Sequence, residues 1–259
     1  SKGIEWASNE ISKVLKRNVP ILILTKGLAV NNNNFEVLAH KMERLFKKNG
    51  MKETNISAEG GPCLAKNLAN KAHTTVVFAN NDIKIAEKIS KLVSTDYYHV
   101  STSNDVIGVE TCAAIKNIFS MAVGASQGLC DSTKSKEKNY LNTAAALIQE
   151  SIYEMIIFVE KLKGKKETVI GLAGIGDLYV SADGGRNSKM GEYLGQGMKF
   201  KEAKKTKMPN ITVEGADLAL EIGAKVKKDF DSKTLPLMIS MINTICEEKP
   251  LKVDWKNFK

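Results

Sequence analysis

The sequence predicts an α/β N-terminal part followed by an all-α C-terminal part, and two observations predict it. Up to residue 104, short β-branched runs alternate with stretches of helical spacing. From Asp105 onward, long helical patterns follow one another with few strand candidates. The natural division is therefore 1–104 and 105–259. A hydrophobic content of 43% over 259 residues is enough to bury an ordinary core.

Taken in order, residues 5–17 carry spaced apolar positions (Trp6, Ile11, Val14, Leu15) and predict an amphipathic helix. The run Val19–Leu24 predicts a buried strand. The polar tract Asn31–Asn34 predicts a loop, and helical spacing returns over 35–48. Thr74–Ala79 predicts a strand, followed by a helix that Asp82 caps. His99–Thr102 predicts a last short strand. In the second half, helices are expected at 105–129, 142–162, 188–195, 213–226 and 235–247, with a charged loop at 131–139.

Composition narrows the function classes. No stretch of about 18 uninterrupted apolar residues occurs, so no transmembrane helix is expected. The four cysteines, Cys63, Cys112, Cys130 and Cys246, are scattered without a C-x-x-C pair. They point to neither a metal site nor a disulfide framework, but to idle thiols in a reducing cytoplasm. The formal charge is +9, which suits nucleic acid, an anionic membrane or small phosphorylated ligands. Lysines interspersed with acids, as in Lys84-Ile85-Ala86-Glu87-Lys88, and few aromatics argue against nucleic acid.

Lys116 stands out. It is the only charged residue between Glu110 and Asp131, inside Cys112-Ala113-Ala114-Ile115-Lys116-Asn117-Ile118-Phe119. A helix apolar on nearly all faces is normally buried, and burying an ammonium costs several kcal/mol unless it is paired or loses its proton. Burial is also how a lysine becomes a general acid or base near neutral pH. The helix alone leaves two readings open: a buried proton-transfer group, or a side chain that snorkels to water.

Three glycine-rich segments follow. Gly171-Leu172-Ala173-Gly174-Ile175-Gly176-Asp177 has G-x-x-G-x-G spacing, a weak nucleotide cradle that close helix packing explains as well. Asp177, at its end, is placed to hold a lysine or a substrate hydroxyl. Gly184-Gly185-Arg186-Asn187-Ser188 combines a free backbone with a guanidinium fork suited to phosphate, and Asn187 or Ser188 is expected to cap the next helix. By itself the segment reads more readily as an ordinary loop with an N-cap than as a phosphate clamp. Gly60-Gly61-Pro62-Cys63 marks a turn before a helix.

In order and spacing, Thr25-Lys26-Gly27-Leu28, Gly61-Pro62-Cys63-Leu64-Ala65, Asp105-Val106-Ile107-Gly108-Val109-Glu110, Ala114-Ile115-Lys116-Asn117, Gly171–Leu178, Gly185-Arg186-Asn187 and Val213-Glu214-Gly215 resemble the NAD(P)-dependent glycerol-3-phosphate dehydrogenase family. The resemblance covers residues 1 to about 250. It implies an incomplete Rossmann-like sheet in 1–104, the C-terminal portion of a dinucleotide-binding domain, and a helical substrate and catalytic domain in 105–259. It implies catalysis by Lys116 and substrate contacts from Lys26, Gly61, Cys63, Asn117, Asp177, Arg186 and Asn187. Cofactor contacts, to NAD or NADP, are implied for Lys26, Ala65, Arg186 and Glu214. The implied substrate is a small phosphorylated three-carbon molecule, and the implied assembly is a cytoplasmic homodimer without membrane insertion.

The sequence departs from the family at Cys63-Leu64, at Ala144 after Asn142-Thr143, and at Glu150-Ser151. The resemblance aligns Ser1 just after the fourth strand of the nucleotide-binding sheet, so the first strand and its G-x-G-x-x-G turn have no counterpart here. Two expectations follow: a piece of a longer dehydrogenase, or a catalytically inactive remnant that binds a phosphate ester or a partner.

Overall fold

The computed structural model describes residues 2–15, 19–51, 54–130 and 140–259. The expected charged loop at 131–139 lies outside them, as does the end of the first expected helix. The chain forms two compact units, Ser1–Ala114 with Val159–Asp177, and Ile115–Phe158 with Leu178–Lys259. An α/β region and a helical region are both present, in agreement with the predicted class.

The first unit holds α1 (Lys2–Val14), α2 (Leu38–Lys48), α3 (Ala65–Ala69) and α4 (Ile83–Val93) around a four-stranded sheet. Strands β1 (Ile21–Ile23), β4 (Ile56–Gly60), β5 (Thr74–Ala79) and β6 (Tyr98–Ser103) lie side by side in that order. β1 and β4 are parallel, β4 and β5 antiparallel, β5 and β6 parallel. Val76 and Phe78 on β5 close against Ala86 and Ile89 on α4, with Tyr98 and Val100 beside them. This is period-2 alternation meeting period-3.6 spacing.

Three expectations are corrected here. Asn31–Asn34 is a hairpin rather than a loop: β2 (Leu28–Asn31) pairs antiparallel with β3 (Asn34–Val37), and Asn32 and Asn33 turn with φ of 48° and 61°. Asparagine tolerates this left-handed region, which a two-residue hairpin needs at both central positions. The helix expected over 35–48 therefore starts only at Leu38. In α1, Ile4 and Ser8 are buried while Trp6 and Val14 face solvent, so the buried face differs from the expected one. Strand β4 was not expected, since Ile-Ser-Ala-Glu-Gly carries little β-propensity.

Several buried side chains in this unit cap backbone from a distance. The Oδ1 of Asp105 accepts from Gly108 N at 2.9 Å, and its Oδ2 accepts from Lys165 N at 2.9 Å and Thr168 Oγ1 at 2.6 Å. A Cβ on Gly108 would sit 1.9 Å from that carboxylate, so the Asp105…Gly108 pair serves architecture. Helix α2 has no side-chain cap of its own. Glu110, 4% exposed, fills that role by accepting from Ala39 N at 2.9 Å.

The second unit is built on α5 (Val106–Leu129, its residues from Ile115), α6 (Leu141–Lys161, to Phe158), α8 (Asp177–Ala182, from Leu178), α9 (Arg186–Gly195), α10 (Phe200–Thr206), α11 (Glu214–Asp229) and α12 (Pro236–Cys246). α5 is long and apolar enough to cross a membrane by length and composition, but 94% of that window is buried inside the protein. It packs on α9 through two glycine pairs four residues apart. A Cβ on Gly124 would lie 2.2 Å from Ser188 O, and one on Gly128 2.1 Å from Glu192 O. Across the contact, Gly191 would meet Met121 O at 1.9 Å and Gly195 would meet Ala125 O at 2.3 Å. The two backbones touch. Only glycine at these four positions lets them do so.

Glu154 on α6 is fully buried and caps α12: its Oε1 accepts from Leu237 N at 2.5 Å and its Oε2 from Met238 N at 2.8 Å. Glu150, one of the departures from the family pattern, is also fully buried and accepts from Lys259 N at 2.9 Å.

Two predictions follow from this packing. Gly191→Ala and Gly124→Ala each force α5 and α9 apart and lower stability by about 1–3 kcal/mol, read as a lower urea midpoint at unchanged m; unchanged midpoints would refute the backbone contact. Burial pushes the carboxyls of Glu110 and Glu154 each up to about 8, against backbone donors that pull them down. The folded chain then holds more protons than the unfolded chain between their unfolded values near 4.5 and about 8. Stability is greatest below that window and is lost as pH rises through it, at up to about 1.4 kcal/mol per pH unit for each group. Glu110→Gln and Glu154→Gln flatten the slope of unfolding free energy between pH 5 and 8, and a slope equal to the parent's would contradict the assignment.

Candidate active site

In the first unit, the segment Gly171–Gly176 closes as a π-helical turn, Leu172–Gly176, that delivers Asp177 to the start of α8. Gly174 allows the turn: a Cβ there would lie 2.0 Å from Val169 O. The glycines thus serve close packing, the alternative left open by their spacing. Asp177 is 2% exposed, and its Oδ2 accepts from Lys26 Nζ at 2.9 Å. A carboxylate so buried needs its cation. Lys26 keeps about a third of its side chain, 32%, in solvent, so its ammonium is held at one end and open at the other.

Beside this pair stands Glu59, on β4, which sequence reasoning missed. Burial raises its carboxyl above the usual range, Lys26 pulls it down and Asp177 raises it. Tyr98 Oη donates to Glu59 Oε1 at 3.5 Å, a long contact. Burial first, then Glu59, also raises the Cys63 thiol, with Lys26 opposing. Cys63 packs against the Val76–Phe78 cluster and is therefore a small hydrophobe more than a reactive thiol. Gly61 turns with φ of 109°, and a Cβ there would meet Val76 Cα at 3.3 Å. Ala65 is the exposed first residue of α3.

In the second unit, Lys116 is 5% exposed. It does not snorkel. Its Nζ donates to Ser181 Oγ, on α8, at 2.6 Å. One residue on, Asn117 Oδ1 accepts from Asn187 Nδ2 at 3.0 Å, and Asn187 Oδ1 accepts from Gly215 N at 2.9 Å. Asn187 thereby joins α5 to the N-terminus of α11, which has no side-chain cap of its own. A Cβ on Gly215 would lie 2.3 Å from Asn117 O. The expectation that Asn187 or Ser188 caps α9 is corrected: Gly185 is the N-cap, and Ser188 Oγ donates to Ala182 O at 2.8 Å. Arg186 is the first residue of α9 and pairs with Glu214, the first residue of α11. Both side chains stay open to solvent, at 59% and 40% exposure, so the pair sits accessible at two helix starts, where backbone N–H groups favour anions.

A buried lysine amine fixed by a hydroxyl, beside asparagines locked by helix packing and an arginine at a helix start, is equipped to move a proton and hold an anion. Among the described residues no group of three or more His, Cys, Asp or Glu side chains is placed to hold a metal.

The sequence profile of the NAD-dependent glycerol-3-phosphate dehydrogenase C-terminus matches residues 105–254. The chain belongs to that family. The NADP(+)-dependent glycerol-3-phosphate dehydrogenase of Archaeoglobus fulgidus is 34% identical over 183 residues, which cover 71% of this chain and 53% of that protein. The glycerol-3-phosphate dehydrogenase [NAD(P)+] of Lacticaseibacillus casei is 29% identical over 260 residues, covering 95% of this chain and 70% of that protein. Among solved structures, glycerol-3-phosphate dehydrogenase from Coxiella burnetii superposes with a TM-score of 0.77 at 25% identity, over 96% of this chain and 71% of that one. The chain thus spans 53% of the archaeal relative's length and 70% of the Lacticaseibacillus protein's.

Asn187 carries a structural consequence of its own. Asn187→Ala removes its bonds to Asn117 and to the Gly215 N–H, and lowers stability by about 1–3 kcal/mol in urea unfolding; an unchanged urea midpoint would refute that role.

Proposed function

We propose that this chain provides the substrate-binding and proton-transferring part of an NAD(P)-dependent oxidoreductase that interconverts sn-glycerol 3-phosphate and dihydroxyacetone phosphate. The observation that carries the reading is Lys116: a lysine only 5% exposed, bonded to Ser181, on a long buried helix. It suits a step in which a secondary alcohol gives up its hydroxyl proton, or a carbonyl oxygen receives one.

The names of the relatives supply the substrate and the cofactor class. Nicotinamide, when bound, supplies hydride transfer. Within the chain, Arg186 holds the substrate phosphate and Asn187 and Asn117 fix its neighbourhood, so that binding remote from the reacting carbon orients it. Lys26 and Asp177, with Gly61 and Cys63, line the substrate, and Lys26, Ala65, Arg186 and Glu214 meet the cofactor. The solvent-open side of Lys26 and the exposed Arg186–Glu214 pair fit that use. In this reading residues 1–104 belong to a dinucleotide-binding domain and 105–259 to the substrate domain, and the enzyme works as a cytoplasmic homodimer. Sedimentation equilibrium tests the dimer.

The activity is tested by following NADH and NADPH oxidation with dihydroxyacetone phosphate, for this chain and for a chimera carrying the N-terminal residues of the Archaeoglobus protein. Lys116→Ala is expected to lower kcat by about 10²–10⁴-fold, and Arg186→Ala to act mainly on KM. Phosphate-ester binding without any turnover in either protein would favour the inactive-remnant reading, and a Lys116→Ala variant as active as its parent would sink the proposal.

A further inference from the structure

Helix α12 presents Pro236, Ile239, Ser240 and Asn243 at i, i+3, i+4 and i+7, one face of the helix. The Lys249–Asn257 segment lies against that face: Ser240 Oγ donates to Lys252 O, and Lys249 N donates to Asn243 O at 3.4 Å. Helix and segment border a half-open cavity of about 420 Å³ whose walls also include Lys233, Pro250 and Asp254. It shares no residue with those given roles above.

We propose that this cavity is a second ligand site, one that takes a small phosphate monoester with a compact, partly apolar body. Size is the first support, since ligand pockets of roughly 300–1,000 Å³ enclose small molecules. Charge is the second. Lys233, Lys249 and Lys252 line the cavity and Asp254 is the one acid among its walls. Asp254 already accepts from Asn257 Nδ2 at 2.7 Å. Lys249 has a partner in Glu247 at 2.6 Å, but Glu247 also pairs with Lys227. Those two ammonium groups hold the Glu247 carboxyl down at about 2. A phosphate monoester, with close to two negative charges and three acceptor oxygens, answers three ammonium groups better than a carboxylate does. The floor is the third support: Ile239, Pro236 and Pro250 offer apolar contact that a bare inorganic ion leaves unused.

The test is calorimetric titration of the 259-residue chain with phenyl phosphate at low salt, with benzyl alcohol as the neutral counterpart. Arg186→Ala removes the phosphate contact proposed for the active site, and saturable phenyl phosphate binding is expected to persist in that variant. Adding Lys233→Gln and Lys252→Gln then weakens it at least tenfold, while amide resonances of Ile239 and Asn243 shift only with the lysines present. Binding abolished by Arg186→Ala alone, binding indifferent to the two lysines, equal binding of benzyl alcohol, or no binding at all would each overturn the second site. None of these outcomes bears on Lys116, so the two proposals fail separately.

Discussion

Buried polar side chains that cap distant helix starts are what the rest of this structure depends on. A helix leaves its first N–H groups without intrahelical partners, and burying them unpaired costs as much as a lost hydrogen bond. Here α2, α11 and α12 lack side-chain caps of their own. Glu110, Asn187 and Glu154 cap them from elsewhere in the chain. Each of these groups is expensive to bury, and each is stabilised by the orphan donors it meets. The arrangement is fixed jointly: neither the helix end nor the polar side chain is satisfied alone.

The same logic builds the candidate site. Asn187 caps α11 and grips Asn117, which follows Lys116 on α5. The glycine contact between α5 and α9 sets the spacing at which those bonds close. Lys116, 5% exposed, donates to Ser181 at 2.6 Å. Architecture and chemistry are not separable here. Residues that look catalytic by type, such as Asn187, carry helix caps, and motif residues such as Asp105 and Glu110 serve the fold.

Much of the fold was legible in the residues. Strands such as Thr74–Ala79 and helices such as α5 and α12 announce themselves by period and length. Asp82 caps α4 as expected, accepting from Lys84 N at 3.0 Å. A polar tract such as Asn31–Asn34 reads as a loop until its flanking strands pair, which conceals the hairpin at Asn32-Asn33. β4 escaped notice because its short, weakly apolar run gains its order from β1 and β5 on either side. In the site, Lys116 was visible as an anomaly, whereas Glu59 was not: nothing in Ala58-Glu59-Gly60 signals that Lys26 and Asp177 will act on its carboxyl.

The sequence by itself determined what is set within a few residues: element type, the one charged residue between Glu110 and Asp131, and the order of motifs that marks the family. Only the tertiary structure decided which distant donor each buried acceptor would find, from Glu110 and Ala39, 71 residues apart, to Lys26 and Asp177, 151 residues apart. The physical reason is range. Propensity and periodicity act along the chain over one or two turns, whereas desolvation penalises every unpaired polar group wherever it lies, and only the folded chain can place its partner.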